Sequence, residues 1–395
     1  MLSPTRILQK MAFAAALLPL VACGDDAVGT TGSPSSSASG STSGQGGAGG
    51  AGGEGGGVVV DPLELAVRGT DWAVLPEAPS VGGGAKQDDI FFVDAQNGFL
   101  ASGPTGQIYA TTDGGATWDS VLSSDNTYFR SVLFTSPQRG FAGNIGAGLS
   151  PSIDDATVVY ETSDGGATWS PVTAVTGSAA AGICNFTVAG SAIFGIGRAN
   201  GPAHLLRSDD GGASWVSKDL SDTFAMAIDG RFTSETDGIV IGMGATGQRC
   251  TVARTTDAGD TFETVFEADA SGSLCWKVDF PSEMVGYVAI LQTANGPGAF
   301  AKTTDGGATW VELPLPDDGS GDEYPALAVG FISDEIGWMA SESPALPVYR
   351  TFDGGVTWEV DPALKGPINR FRFVDADTAF AVGAKVWKLD LSGAN

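Results

Sequence analysis

TTDGGATW, residues Thr111 to Trp118, returns five times along the chain. The copies are TSDGGATW (Thr162 to Trp169), SDDGGASW (Ser208 to Trp215), TTDAGDTF (Thr255 to Phe262), TTDGGATW (Thr303 to Trp310) and TFDGGVTW (Thr351 to Trp358). Their aspartates, Asp113, Asp164, Asp210, Asp257, Asp305 and Asp353, stand 51, 46, 47, 48 and 48 residues apart. A period of this size marks one supersecondary unit stacked on copies of itself. Each octapeptide reads as a tight hairpin: a carboxylate accepts turn N–H groups, glycines supply positive φ, and the closing aromatic packs inward. Alternating segments such as Gln107 to Ala110 and Val311 to Leu315 lead in and out as strands.

A second register runs with the first. A phenylalanine in a short apolar strand precedes each aspartate by 21 to 30 residues: Phe92, Phe134, Phe186, Phe232, Phe280 and Phe331. A seventh, Phe373, lies in NRFRFVDADTAFAVG, and the chain reaches Asn395 before another octapeptide appears. The missing outer strand of this last unit is expected from Gly69 to Pro79 (GTDWAVLPEAP), whose Trp72 lies 46 residues before Trp118. The expected fold is all-β, a seven-bladed propeller of four-stranded antiparallel blades whose last blade is closed by strands from both termini, which leaves no open seam. Six blades with flanking strands is the alternative. In either ring, the turns joining strands two and three lie with the blade-to-blade connectors, opposite the octapeptide turns. That face is the expected binding side, with loops at Asn144 to Ala156, Arg198 to Ala203, Thr293 to Gly298, Asp317 to Glu323 and Ser341 to Pro347.

The N-terminus has a different composition. Arg6 and Lys10 precede an apolar run from Met11 to Ala22 that is too short for a membrane span and reads as an export signal. Leu20, Val21, Ala22 and Cys23 resemble a bacterial lipobox, which implies cleavage after residue 22 and lipid attachment at Cys23. Residues 23–57 form a Gly/Ser-rich tether that cannot bury enough apolar surface to fold, and residues 58–395 form the propeller. The expected location is the cell envelope, periplasmic or surface-exposed.

The octapeptide resembles the Asp box, or bacterial neuraminidase (BNR) repeat. It is found in sialidases, xyloglucan-active hydrolases, sortilin-type receptors and the photosystem II assembly factor family. The last is the most similar in repeat length and blade number. The resemblance implies the propeller fold and leaves activity open. Sialidase-like chemistry needs an arginine triad with a tyrosine and glutamate pair. The arginine segment of that family is absent, and Tyr128 and Tyr324 read as rim aromatics. The chaperone-like binding implied by the assembly-factor resemblance is attributed to an arginine-rich patch, which this acidic chain lacks.

The net charge of −26, or −28 once Arg6 and Lys10 leave with the signal, argues against nucleic acid or an anionic bilayer as direct partners. One histidine, His204, and no CxxC pair leave little basis for a metal site, and no cofactor is expected. Cys250 and Cys275 are placed at one face of neighbouring blades and are expected to form a disulfide, while Cys184 is expected as a buried thiol. Positions one and three residues before the repeat phenylalanine share a strand face near the axis, and in three blades both are charged: Asp229 with Arg231, Lys277 with Asp279, Arg370 with Arg372. They form either water-bridged channel-wall ion pairs or a patch that receives a carboxylate or peptide terminus. The functional expectation is a monomeric, lipid-anchored, non-catalytic module that binds a protein or glycan on the face opposite the octapeptides. The alternative is a glycan hydrolase with an unrecognised carboxylate pair.

Overall fold

The computed structural model describes residues 61–82, 84–148, 151–292, 298–316 and 324–394. The segments expected as export signal and tether, with Cys23, and most of the loops at 293–298 and 317–323 lie outside the described residues. Pro62–Asn395 is one compact unit.

The chain forms seven antiparallel sheets arranged as a seven-bladed propeller. The inner strands, in chain order for blades 1 to 7, are Asp89–Phe92, Phe129–Phe134, Asn185–Ala189, Phe224–Phe232, Ser273–Asp279, Ala326–Phe331 and Ile368–Phe373. Each blade runs outward in chain order, and blade 3 adds an edge strand, Val175–Gly177, parallel to Trp215–Asp219. Blade 7 is closed by Ala73–Val74, which pairs antiparallel with Val386–Asp390 in the register Ala73↔Lys388 and Val74↔Trp387. The closing strand is shorter than Gly69 to Pro79, because Pro76 carries no N–H and ends the ladder. The first half of that stretch is preceded by a helix the sequence pattern did not announce, α1 (Pro62–Gly69). Its Leu63, Ala66 and Val67, at helical spacing, pack with Trp72 against Trp338 and Phe371 between blades 6 and 7.

The repeat phenylalanine explains how the blades lock. Its ring lies over the facing glycine of the second strand, where a Cβ on Gly98, Gly140, Gly238, Gly286 or Gly337 would meet the ring at 2.3–2.6 Å. Lying flat there, the ring stacks on the second-strand aromatic of the preceding blade. Phe92 meets Phe380, Phe134 meets Phe99, Phe232 meets Phe194 and Phe331 meets Tyr287, with centroids 3.6–3.9 Å apart. Such pairs contribute about 0.5–1.5 kcal/mol each beyond their buried area.

Blade 3 departs from the expected register. Its first hairpin turns at Gly190 and Ser191, and Val188 faces Ile193 where the other blades have phenylalanine facing glycine. Val188 therefore holds the repeat position, and Phe186 sits two residues earlier. The shift weakens the inter-blade contact, since Phe186 and Phe141 are tilted at 6.4 Å.

Candidate functional site in the axial channel

Five inner strands carry a residue that their second strands do not match, Arg130, Ile228, Trp276, Leu327 and Asn369, and blade 4 carries a further one at Ala225. A bulge of this kind re-aims the inserted side chain. Consecutive residues can then both point to the axis, which strict alternation forbids. Asp88 and Cys184 occupy the equivalent place in blades 1 and 3, each donating its backbone N–H across to the second strand. The channel is thus lined by an upper layer (Asp88, Arg130, Cys184, Ile228, Trp276, Leu327, Asn369) and a middle layer (Asp89, Ser131, Asn185, Asp229, Lys277, Ala328, Arg370). Every one of these side chains is buried.

The two layers are tied across the ring. Arg370 of blade 7 reaches Asp89 of blade 1 (3.0 Å), Asp229 of blade 4 (3.4 Å) and Asn185 of blade 3 (3.2 Å). Asp89 also receives Arg372 (3.0 Å) and the Val132 N–H (3.2 Å). Burial opposes ionisation of Asp89, yet the charges of Arg372 and Arg370 outweigh it and hold its carboxyl below the usual range. Arg130 pairs with Asp88 in a closed contact. Its guanidinium lies over the Trp276 ring, 4.8 Å from the centroid. The Trp276 indole N–H donates to Asn369 Oδ1 (2.9 Å), and the Asn369 amide donates to the Asp88 carbonyl (2.8 Å).

Lys277 stands apart. It is fully buried and makes neither a hydrogen bond nor an ion pair among the described residues; its ammonium lies 5.7 Å from the Trp276 centroid. Burial first, then the Arg370 charge, push its pKa well below the ordinary lysine range, with Asp229 opposing. A cation–π contact supplies about 0.5–2 kcal/mol, less than the several kcal/mol that burying an ion costs. Lys86 lies 5.2 Å from the same ring, its pKa lowered to about 8 by burial and by Arg130.

The six residues proposed from the sequence do not share one surface. Asp229, Lys277 and Arg370 belong to the buried middle layer, whereas Arg231, Asp279 and Arg372 lie at the far ends of their strands and are exposed or partly exposed. Those ends lead into the first hairpin of each blade, which lies at the octapeptide side, because Gly114, Gly165, Gly306 and Gly354 donate to the hairpin carbonyls of Gln96, Gln138, Met284 and Glu335. The accessible half of the patch therefore opens on the octapeptide face. There, Arg231, Asp237, Arg254 and Gly306 line a pocket of about 30 Å³, room for one water-sized group. Asp279 accepts the Phe331 N–H (2.7 Å) and is raised by burial.

The octapeptide aspartates are turn-formers. In every copy one carboxylate oxygen accepts the first Thr/Ser hydroxyl and the backbone N–H four residues on, and the other accepts the second hydroxyl, as at Asp113 (2.8, 2.8 and 2.6 Å). These bonds hold Asp113, Asp164, Asp210, Asp257 and Asp305 at a pKa of about 2. For Asp353 burial works against the same bonds, and its pKa is still lowered.

On the opposite face, the turns between strands two and three run from two residues (Ala384 and Lys385) to fourteen (145–158). The long one is held from within. Asn144 accepts from the N–H groups of Tyr128 and Gly146 and donates to the carbonyls of Asp155 and Thr157. Arg198 of blade 3 donates to the carbonyls of Ile145, Ala147, Ala181 and Gly201.

Cys250 and Cys275 form a disulfide between blades 4 and 5, with Cα atoms 4.5 Å apart, and Cys184 is a buried free thiol. His204 is buried with Nδ1 against the Pro202 carbonyl, and burial lowers its pKa to about 4. Tyr324 is buried too, not on the rim, its hydroxyl donating to the carbonyls of Met339 and Pro347. Among the described residues no three His, Cys, Asp or Glu side chains gather as a metal set.

The sequence reading passed over Asp88, Asp89, Arg130, Asn185, Trp276 and Asn369. Asp89 and Asn185 were within reach of a register anchored on the second strand. The other four depend on bulges or strand extensions that no alternation pattern encodes.

No protein-family model matches the chain, and no curated protein is similar to it. Solved propellers are similar in fold. YCF48 bound to D1 peptide superposes with a TM-score of 0.58 at 20% identity, over 81% of this chain and 95% of that one. YCF48 from Cyanidioschyzon merolae gives 0.59 at 18%, over 81% and 99%. The GH74 xyloglucanase from Xanthomonas campestris gives 0.58 at 17%, over 82% of this chain and 54% of the enzyme. At these identities the likeness concerns the fold alone.

Proposed function

We propose that this chain is a non-catalytic binding module of the bacterial cell envelope, fixed by lipid at Cys23 and presenting its octapeptide-free face to a protein partner. The observation that carries the reading is the contrast between the ring's two faces. One repeats the same hydrogen-bonded turn six times, in the pattern of Asp boxes, and the other varies its turns from two residues to fourteen. Variable loops on a rigid scaffold are where recognition resides. The described parts of the blade 2 loop are tied by Asn144 and Arg198, which lowers the ordering entropy that binding a partner there would cost. A propeller of similar fold, YCF48, has been solved with a D1 peptide, which favours a protein over a glycan.

Glycan hydrolysis is the second reading, supported by the xyloglucanase of similar fold. It needs two accessible carboxylates roughly 5–10 Å apart. Asp89 and Asp229 are held close by Arg370, but both are buried and bound to guanidinium groups, so a sugar cannot reach them.

The test is capture from envelope extract by the full chain and by a variant whose residues 145–158 are replaced with a two-residue turn. A partner retained by the first and lost by the second supports the reading. Turnover of aryl glycosides overturns it. Cys23→Ala should move the protein from the membrane fraction to the soluble one.

A further inference from the structure

We propose that the seam between blades 4 and 5 is a redox-controlled gate in the ring: it stays shut while the Cys250–Cys275 bond is intact and opens ahead of the other seams once a dithiol reduces it. Three observations single out this seam. First, it lacks the ring pair. At the other six, an aromatic of one blade's second strand meets an inner-strand phenylalanine of the next. Phe380 with Phe92, Phe99 with Phe134, Phe194 with Phe232 and Tyr287 with Phe331 stack at 3.6–3.9 Å; Phe141 meets Phe186 at 6.4 Å and Trp338 meets Phe373 at 6.2 Å. Between blades 4 and 5 the corresponding residue is Ile239, which follows Gly238 as Phe99 follows Gly98. Among the described residues, Phe280 has an aromatic neighbour only within its own blade, Trp310.

Second, the octapeptide end of this seam is loosely joined. The pocket of about 30 Å³ lies there, with Ile239 and Phe280 in its wall. Arg231 attracts Asp279 across the seam, but among the described residues neither they nor the pocket residues hydrogen-bond to the other blade. Other seams are tied at that end. Arg139 donates to the Gly211 and Gly212 carbonyls across blades 2 and 3, Ser191 donates to Glu235 across blades 3 and 4, and the Tyr287 hydroxyl donates to the Asp334 carbonyl across blades 5 and 6. Third, the one disulfide among the described residues spans this same seam at its opposite end, from the third strand of blade 4 to the inner strand of blade 5. With the bond cut, the seam keeps the aliphatic packing of Ile239, Ile241, Val288 and Ile290 and the Cys250 N–H to Ser273 Oγ bond, with no ring stack behind them. In the reducing step a thiolate of the dithiol attacks one sulfur and its second thiol displaces the mixed disulfide; the dithiol leaves oxidised, and Cys250 and Cys275 each end as a thiol. Both cysteines are fully buried, so the bond is reached from the open form, and reduction and opening favour each other.

The experiment is hydrogen–deuterium exchange of the full chain, oxidised and after dithiothreitol, with alkylation of Cys250 and Cys275 reporting the reduction. Exchange in Phe224–Phe232, Gly238–Gly244, Ser273–Asp279 and Gly286–Gln292 should rise by about tenfold or more, while the inner strands of blades 1 and 7 stay unchanged. The Cys250→Ala, Cys275→Ala double variant should show the same pattern without reductant. Adding Ile239→Phe to that variant supplies the missing ring and should return exchange in blades 4 and 5 toward the oxidised value. Phe99→Ile in the oxidised chain removes a ring pair where no disulfide stands, so exchange should rise in blades 1 and 2; this arm reads the role of the ring even if Ile239→Phe does not fold. A bond that dithiothreitol leaves intact in the folded chain overturns the proposal. So does a rise spread evenly over all seven blades, or Phe99→Ile without local effect.

Discussion

The octapeptide turns and the axial channel are both built on aspartates, and they use them in opposite ways. At Asp113, which is exposed, the carboxylate, its two hydroxyl donors and its backbone donor all lie within seven residues. At Asp89, itself buried, the partners are Arg370 and the partly exposed Arg372, some 280 residues away, and Val132 of the next blade. The first arrangement is complete before the ring closes. The second exists only once blades 1, 2, 3, 4 and 7 have met. A local turn can be copied six times because each copy depends on nothing else, whereas a cross-ring network occurs once.

This comparison can be broken most forcefully at Arg370. Arg370→Ala leaves Asp89, Asp229 and Asn185 without their shared donor and should cost about 3–5 kcal/mol in chemical unfolding. A loss below about 1 kcal/mol would mean the channel charges are hydrated and independent. Next in size is the disulfide: the Cys250→Ser, Cys275→Ser double variant should lose about 2–4 kcal/mol, read from the same unfolding curves. It staples adjacent blades and should add independently to any single octapeptide change.

A smaller effect sharpens the contrast through coupling. Asp113→Asn and Asp257→Asn should each lower Tm slightly, and the double variant should lose the sum, because the two turns share no partner. Arg370→Ala and Asp229→Asn, in contact, should be strongly non-additive in the same cycle. Finally, five octapeptide carboxylates have folded values of about 2 against an ordinary 3.8. Their contribution is complete above about pH 4 and is lost as the pH falls through about 2. Tm measured across that window should fall, and replacing the octapeptide aspartates by asparagine should flatten the fall. An unchanged slope would assign acid sensitivity to the channel instead.

How much could be read in advance followed the same division. The octapeptides, their spacing and the closing strand are local or periodic, and the propeller came from them. The expected patch joins the residues one and three before the phenylalanine and treats the two positions as one surface. In the ring, one lies at an open mouth and the other in a closed interior. Phe186 was assigned to the repeat by its residue type, and the hairpin geometry gives that place to Val188.

By itself the sequence determined the repeat and pointed to seven blades closed by both ends, because each rests on hydrogen bonds and side-chain contacts within about fifty residues or on the matching of the two ends; the structure settled seven against six. Only the tertiary structure decided which charges meet. Bulges at Arg130, Trp276 and Asn369 turn consecutive side chains to the axis, and ring closure carries Arg370 across to blade 4. A side chain's partner in a channel is set by the rotation of every blade between them, a quantity that no single segment encodes.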